Sequence, residues 1–531
     1  MPAIENASST NRSKATFLYL CGFFACIPWG HLGAAELYSG HGTTFRWDNT
    51  VRYSTMFRVE PRDAALILDP NEDDGDRNFR PGLASNRLDL LSQADLDYGD
   101  FGLRLSAAAW YDSVYHQRND NDSARTFNPA SVPHDRFTRA TRDLQGGTVE
   151  LADAYLHGSF AAADLPVSFR IGRHTLLWGE SLFFADNGIA AGQSPSDTLK
   201  ELSEPQAKAE EIFLPVTQAS AVILPLTNMA VDLYYQFEWR KDRLPGSGSY
   251  LSDTDYLDAG GERFLLAPGR YLSRIADLRP PDTGQFGAAV RITEPGFNYG
   301  FYALRFDAKS PQVYLRPNGS SLPGNDGSYQ LVYPRGIELY GASFSTYLAD
   351  SNIAGEISLR RNMPLVSVPV AVPGGVVADA GDHPLYAIGT TLHGQASSVS
   401  DFTANRFWDS AELTAELAVS DVVDLTRNAS AFDPSRSKFS ASFEAYFEPE
   451  YFEMLPNLNL SLPVGLGYGL VGASGTSSEQ YEGAGDIEVG LEATFRNVWE
   501  GRLTFTHFLG SPDRQPLADR DFVSISIQRT F

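Results

Sequence analysis

The sequence predicts an all-β fold, a transmembrane antiparallel β-barrel of about 16–18 strands. Three observations predict it. Apolar and polar residues alternate with a two-residue period in segment after segment. The polar face carries charge, which would be prohibitive in a dry sandwich core and suits a wet interior. The connections are of two kinds, tight turns and long polar loops, as in barrels whose turns lie on one side of a membrane and loops on the other.

In chain order, Arg12 and Lys14 precede an apolar run from Ala15 to Ile27, and Gly33 and Ala35 stand where a cleavage site wants small residues. We read residues 1–35 as a Sec-type signal peptide and 36–531 as one barrel domain. The apolar run has 13 residues, too few to span a bilayer as a helix. Both cysteines, Cys21 and Cys26, fall within it, so the exported chain needs no disulfides. No later segment reaches 18 uninterrupted apolar residues, which excludes a helical membrane protein. Aromatics are 12% of the chain while mean hydropathy is −0.24, as expected of strands that are apolar on one face only. Losing Glu5, Arg12 and Lys14 takes the formal charge from −24 to −25. That excludes nucleic acid as a partner, whose binders are basic. It suits acidic loops that meet divalent cations at a lipopolysaccharide surface.

The first strand begins near residue 44, with Phe45, Trp47, Val51, Tyr53 and Phe57 on one face and Arg46, Asp48, Arg52 and Arg58 on the other. Phe101–Tyr111, Val231–Trp239, Leu458–Leu470 and Ile487–Phe495 repeat the pattern. Leu233, Tyr235, Phe237, Ile487, Val489 and Leu491 are expected to face lipid, and Asp232, Glu238, Glu488 and Glu492 the lumen. Tight turns fall at Gly99–Asp100, Pro225–Asn228, Glu294–Gly296 and Arg496–Glu500. Long loops fall at 60–85, 117–146, 178–215, 241–282, 308–334, 362–383, 420–436, 471–484 and 510–521. The count reaches 18 only if a weak strand lies near Leu385–Gln395. The chain ends F-V-S-I-S-I-Q-R-T-F, with Val523, Ile525, Ile527 and Phe531 on one face, interrupted by Arg529. A last strand closing on an aromatic residue marks Phe531 as a signal to the barrel-assembly machinery.

Two segments stand out: R-I-G-R-H-T-L-L-W-G-E-S-L-F-F at Arg170–Phe184 and D-D-G-D-R-N-F at Asp73–Phe79. With S-N-R-L-D-L-L at Ser85–Leu91, L-G-Y at Leu466–Tyr468 and the ending A-D-R-D-F-V-S-I-S-I-Q-R-T-F, they make the chain resemble a proteobacterial outer-membrane family, domain of unknown function thirteen-oh-two. His174 departs from the glutamine expected there. The resemblance implies an outer-membrane barrel, found beside a second periplasmic family and RND-type exporters, with a link to hydrophobic compounds. It supplies no substrate.

The loop at 178–215 is expected to fold inward, with a short helix capped by Ser196 or Asp197. Arg170, Arg173, His174, Trp178, Gly179, Glu180, Glu201 and Glu204 are the constriction candidates, with Glu180 opposite Arg173 or His174. The bland alternative makes Trp178–Glu180 a structural corner. Asp73, Asp74, Gly75, Asp76 and Arg77 are expected to form a structured loop folded on itself through Arg77. The spacing of Asp69–Asp76 fails the calcium EF-hand, since its sixth position is Asp74 and its twelfth Arg80. We assign no catalytic residue, metal or cofactor, because no hydrolase signature is present. The expected function is passage of small hydrophobic or amphipathic molecules. A plugged barrel acting as a docking partner is the alternative, and an outer-membrane enzyme the remotest.

Overall fold

The computed structural model describes residues 35–205, 207–320 and 322–531. The signal peptide read over residues 1–35 lies, but for Ala35, outside the described residues. Eighteen strands close into one antiparallel barrel. They are β1 (Thr43–Arg58), β2 (Gly82–Tyr98), β3 (Phe101–Asp112), β4 (Gly147–Ala162), β5 (Leu165–His174) and β6 (Val216–Leu226). Then come β7 (Met229–Gln236), β8 (Phe286–Glu294), β9 (Phe297–Phe306), β10 (Ile337–Leu348), β11 (Ser351–Pro364) and β12 (Ile388–Phe402). The circuit ends with β13 (Ser410–Arg427), β14 (Phe439–Leu455), β15 (Leu458–Ser461 and Val464–Val471), β16 (Gly485–Phe495), β17 (Trp499–Leu509) and β18 (Phe522–Thr530). Each strand pairs with its neighbours in sequence, and β18 closes the ring on β1, from Thr50 opposite Thr530 to Arg58 opposite Phe522. A short leader strand, Ala35–Gly40, folds back on Thr43–Trp47.

Turns of two or three residues gather at one end. Ala163–Asp164 (φ 49 and 69°) and Ala349–Asp350 (φ 49 and 65°) are left-handed pairs, the hand that matches strand twist in a two-residue hairpin. The long loops gather at the other end, which by the architecture of such barrels is extracellular. The weak strand expected near Leu385–Gln395 is the full-length β12, and it brings the count to 18. Two boundaries are corrected. Leu462–Pro463 interrupts the expected run Leu458–Leu470, because proline offers no N–H to a ladder. β13 runs on to Arg427, into the stretch expected as loop.

Leu233, Tyr235, Val489, Leu491, Leu503, Phe505, Ile525 and Ile527 all stand exposed on the outer wall. Near the turns, Tyr98, Phe101, Phe160, Phe297, Tyr347 and Trp499 form the aromatic girdle of a membrane interface. The alternate residues point inward and are mostly charged, polar or small, except where Tyr234, Tyr302, Leu304 and Leu339 line β7–β10. No described helix is long and apolar enough to cross a membrane; the chain crosses with strands. A closed barrel with an apolar belt and a polar lumen is an outer-membrane protein. The extracellular loops are packed. Five short strands, Arg263–Ala267, Arg270–Arg274, Gln312–Pro317, Gly324–Val332 and Val370–Ala371, form a second sheet there. Its core is built from Leu272, Tyr329, Leu331 and Tyr333 with Trp239.

Candidate functional site: the lumen and its inserted loop

After His174 the chain leaves β5 and enters the barrel, where the far wall supplies acceptors for its N–H groups and donors for its carbonyls. Glu356 of β11 accepts from the N–H of Glu180 (2.6 Å) and of Ile189 (2.8 Å). Glu416 of β13 accepts from Leu182 (3.1 Å), Phe183 (2.6 Å) and Phe184 (3.0 Å). Arg360 donates to the carbonyls of Asp186, Asn187 and Gly188 at 2.6–2.9 Å. An irregular segment buried at membrane depth must have its backbone satisfied in this way. Gly179 has φ +96°, and a Cβ there would run into the Glu356 carboxylate. We therefore expect Gly179→Ala to load this anchor with about 1–3 kcal/mol of strain. The measurement is limited proteolysis of the folded barrel: new cleavage within 178–193 is expected, and a wild-type digestion pattern would refute the anchor.

Trp178 packs edge-on to Tyr234, with ring centres 5.1 Å apart, in a buried cluster with Ile189, Tyr302, Leu304, Phe306 and Leu339. This cluster fills the lumen beside β7–β10. Beyond it, Thr198–Ser203 forms a helix whose N-cap is Asp197, accepting from the Lys200 N–H (3.3 Å). Between this helix and the wall of β1–β4 and β16–β18 lies a cavity of about 410 Å³. Its charged lining is nearly balanced, with five cationic and six acidic side chains. Arg52, Arg87, Lys200, Arg243 and Arg502 face Asp89, Asp112, Glu150, Asp197, Glu204 and Glu488. Arg52 pairs with Glu204 (2.8 Å), and Arg243 with Asp197 and Glu150 (2.6 Å each). Trp110 is flanked by two guanidinium groups, Arg87 at 4.9 Å and Arg243 at 5.5 Å from its ring centre.

The family model "Protein of unknown function (DUF1302)" matches residues 15–531. The chain belongs to this family. No curated protein matches it. Among solved structures it is similar to OccAB1 of Acinetobacter baumannii at 10% identity, covering 92% of this chain and 96% of that one, with a TM-score of 0.43. It is also similar to OpdK of Pseudomonas aeruginosa, solved with vanillate, at 9% identity, 92% and 98% coverage and a TM-score of 0.42. OmpF of Salmonella typhi, in complex with daunomycin, gives 10% identity, 92% and 98% coverage and a TM-score of 0.36.

The two segments that marked the DUF1302 resemblance occupy two structural knots. W-G-E is the point where the inserted loop meets the far wall. Glu180 does not face Arg173 or His174, as expected; its Oε1 accepts from Ser343 (3.4 Å), and burial raises its pKa. His174 is locked in the wall between Ser220 (2.9 Å) and the Gly172 carbonyl (3.0 Å). Arg170 lies against the Tyr155 ring. Arg173 is a correction: it shares the outward parity of exposed Ile171 and binds Glu238 (2.9 Å), so neither lines the lumen. The regular alternation stops at Gln236, which releases Glu238 from the inner face. Glu201 and Glu204 lie on the inserted helix and at its C-cap. Burial pushes the Glu201 carboxyl well up, and Glu479 and Asp186 add to it. Arg87, Trp110 and Arg502 of the wall and Arg243 of the loop after β7 were not singled out from sequence, and Arg52 was read only as a polar-face residue of β1. Each was legible as a polar or aromatic position, but none carried a local mark of facing the cavity.

D-D-G-D-R-N-F forms a buried turn of helix, Asp74–Arg77, under the extracellular loops. Arg77 returns to Asp73 (2.5 Å) and also binds Asp122 (2.9 Å). Asp76 takes a bidentate contact from Arg520 (3.0 Å for both bonds) and a longer one from Arg58 (3.4 Å). Gly75 leaves room for Arg520 and the Ser252 carbonyl. Burial raises the pKa of Asp76, but Arg520 outweighs it and holds the carboxyl low. Burial and then Asp73 push Asp74 up to about 8. Phe531 pairs its N–H and its carbonyl with Asn49, both at 2.9 Å.

Proposed function

We propose that this DUF1302 barrel is an outer-membrane channel for small amphipathic molecules. The observation that carries the reading is the cavity beside the inserted helix, where Trp110 between Arg87 and Arg243 sits with apolar Leu91 and Leu199. Such a lining offers an apolar surface and a cation to the same molecule. The test is flux of aromatic carboxylates and of neutral sugars into proteoliposomes carrying the purified barrel. Faster entry of the carboxylates supports the reading, and no entry of either overturns it. Work alongside an RND-type exporter is part of this proposal and rests on the family resemblance.

One observation favours the second reading, a plugged barrel that docks a partner. The inserted loop is bonded to the far wall by Glu356, Glu416 and Arg360, as a fixed plug would be. Negligible flux would put that reading ahead.

Phe531 is proposed as the assembly signal. Deleting it removes two seam hydrogen bonds and the terminal aromatic ring. The expected result is less heat-modifiable barrel in the outer membrane and more degradation in the periplasm. Normal assembled levels would show that the terminal residue is not the signal.

A further inference from the structure

Three carboxylates converge under the extracellular loops, and two of them keep an oxygen without a donor; Asp74 has both oxygens met, by Asn121 Nδ2 and the Asn128 N–H (3.0 Å each). One oxygen each of Asp73, Asp74 and Asp255 lies within 4.8 Å of the other two. Asp73 and Asp74 come from the loop after β1, and Asp255 from the loop after β7. All three are buried. Asp255 gives its Oδ2 to the Asp74 N–H (2.9 Å), while its Oδ1 is buried with no hydrogen-bond partner. Asp73 gives its Oδ2 to Arg77, and its Oδ1 is also without a partner. The Thr126 hydroxyl lies beside Asp73 and is bonded to Ser123 (2.8 Å). Asn128, whose N–H reaches Asp74 Oδ2 (3.0 Å), adds a third buried, unpartnered oxygen, its Oδ1.

Buried carboxylate oxygens without donors are costly, and a cation is the usual remedy. The charge balance around them points the same way. The linked network holds the carboxylates Asp73, Asp74, Asp76, Asp255 and Asp519 and the guanidinium groups of Arg58, Arg77 and Arg520. With Asp122, which bridges Arg77 to Arg62, the network has six carboxylates against four guanidinium groups, a formal excess of two negative charges when all are ionised. Three oxygens within 4.8 Å of one another lie no more than about 2.8 Å from a common point, so a small inward shift brings them to the roughly 2.4 Å that calcium prefers, and all-oxygen donors select a hard cation.

We propose that Asp73, Asp74 and Asp255 hold one calcium ion that ties the loops after β1 and β7 together, with Asn128 joining from the loop after β3. The ligands come from separate loops, so the failed EF-hand spacing does not bear on the site. A cation here fastens the extracellular cap.

The experiment uses the full-length barrel, refolded in detergent without lipopolysaccharide and stripped with a chelator. Equilibrium dialysis against radioactive calcium should find one saturable site per barrel, with Kd on the order of 10⁻⁴–10⁻³ M as in extracellular modules. Asp74→Asn and Asp255→Asn should each weaken it at least about tenfold, since affinity follows ligand charge. Asp326→Asn, in a separate extracellular pair with Arg270, should leave it unchanged. Heat-modifiable migration verifies that each variant retains its barrel. Calcium should also protect the loops of the wild type, but not of Asp255→Asn, from protease. Two results overturn the proposal: no saturable site up to about 10 mM calcium, well above that range, or equal binding by wild type and both variants. A third is a cap in Asp255→Asn that resists protease without calcium as the wild type does with it, because the carboxylates would then be sharing protons.

Discussion

Excising residues 196–213 should raise the conductance of the barrel at least about twofold, because conductance follows the open cross-section at the narrowest point. The flanks of this segment already meet. The Leu214 N–H donates to the Pro195 carbonyl (2.7 Å), and Ser196 bridges to Phe213, so a short glycine linker can replace the excursion. What disappears is the helix that forms one side of the 410 Å³ cavity. The anchors at Glu356 and Glu416 hold residues 180–189 and are untouched. The measurement is single-channel current in planar bilayers, on protein whose gel migration shows a folded barrel. Unchanged current would put the helix outside the conducting path and favour the docking reading. Ion selectivity is a separate readout. The acidic insert alone would favour cations, but Arg52, Arg87 and Arg502 on the wall and Arg243 in the loop after β7 offset it, so only weak selectivity is expected before excision. Afterwards the loss of Lys200, Asp197 and Glu204 leaves the wall arginines less neutralised, and selectivity should move toward anions.

Val489→Arg should cost roughly 2–4 kcal/mol of folding free energy, the toll of a cation facing lipid near the midplane. Val489 is 48% exposed on the outer wall, while its neighbour Glu488 is 4% exposed and lines the cavity. Adjacent positions therefore test the register, because a slip of one residue would exchange their faces. Although Glu488 faces the lumen, Glu488→Arg is not a neutral control. Arg502 also lines that cavity, and a second guanidinium beside it would be repelled. Glu488→Gln is the appropriate control and should fold near the wild-type level. Urea unfolding in liposomes, followed by tryptophan fluorescence, gives both values. Equal destabilisation by the two changes would sink the assigned faces.

Much of this architecture was legible because a barrel writes its rules locally. Gly99–Asp100 and Glu294–Gly296 announce turns by composition, and the alternation from Val231 to Tyr235 fixes which way each side chain points. Errors arose where alternation ended or was not counted through. Arg173 follows Arg170 by three positions, so it lies on the opposite face; Glu238 lies past the last paired residue, Gln236. The lumen itself was less legible. Nothing in β1 alone says that Arg52 borders an open passage while Tyr302 of β9 borders a packed plug. That depends on where a loop of the distant β5 comes to rest. The Asp255 contribution was hidden for the same reason, being 181 residues from its partner Asp74.

The knot of Arg58, Asp76 and Arg520 sits over the line where the first and last strands meet. That line is the ladder in a barrel joining opposite ends of the chain, and so a natural place for a wall to part sideways. Here parting would strand charges that are almost completely shielded from water, at a cost of about 3–5 kcal/mol for each partner lost. The barrel thus has no side door at its joint. Under the channel reading, a solute inside the barrel would find no lateral exit to lipid at this end of the joint.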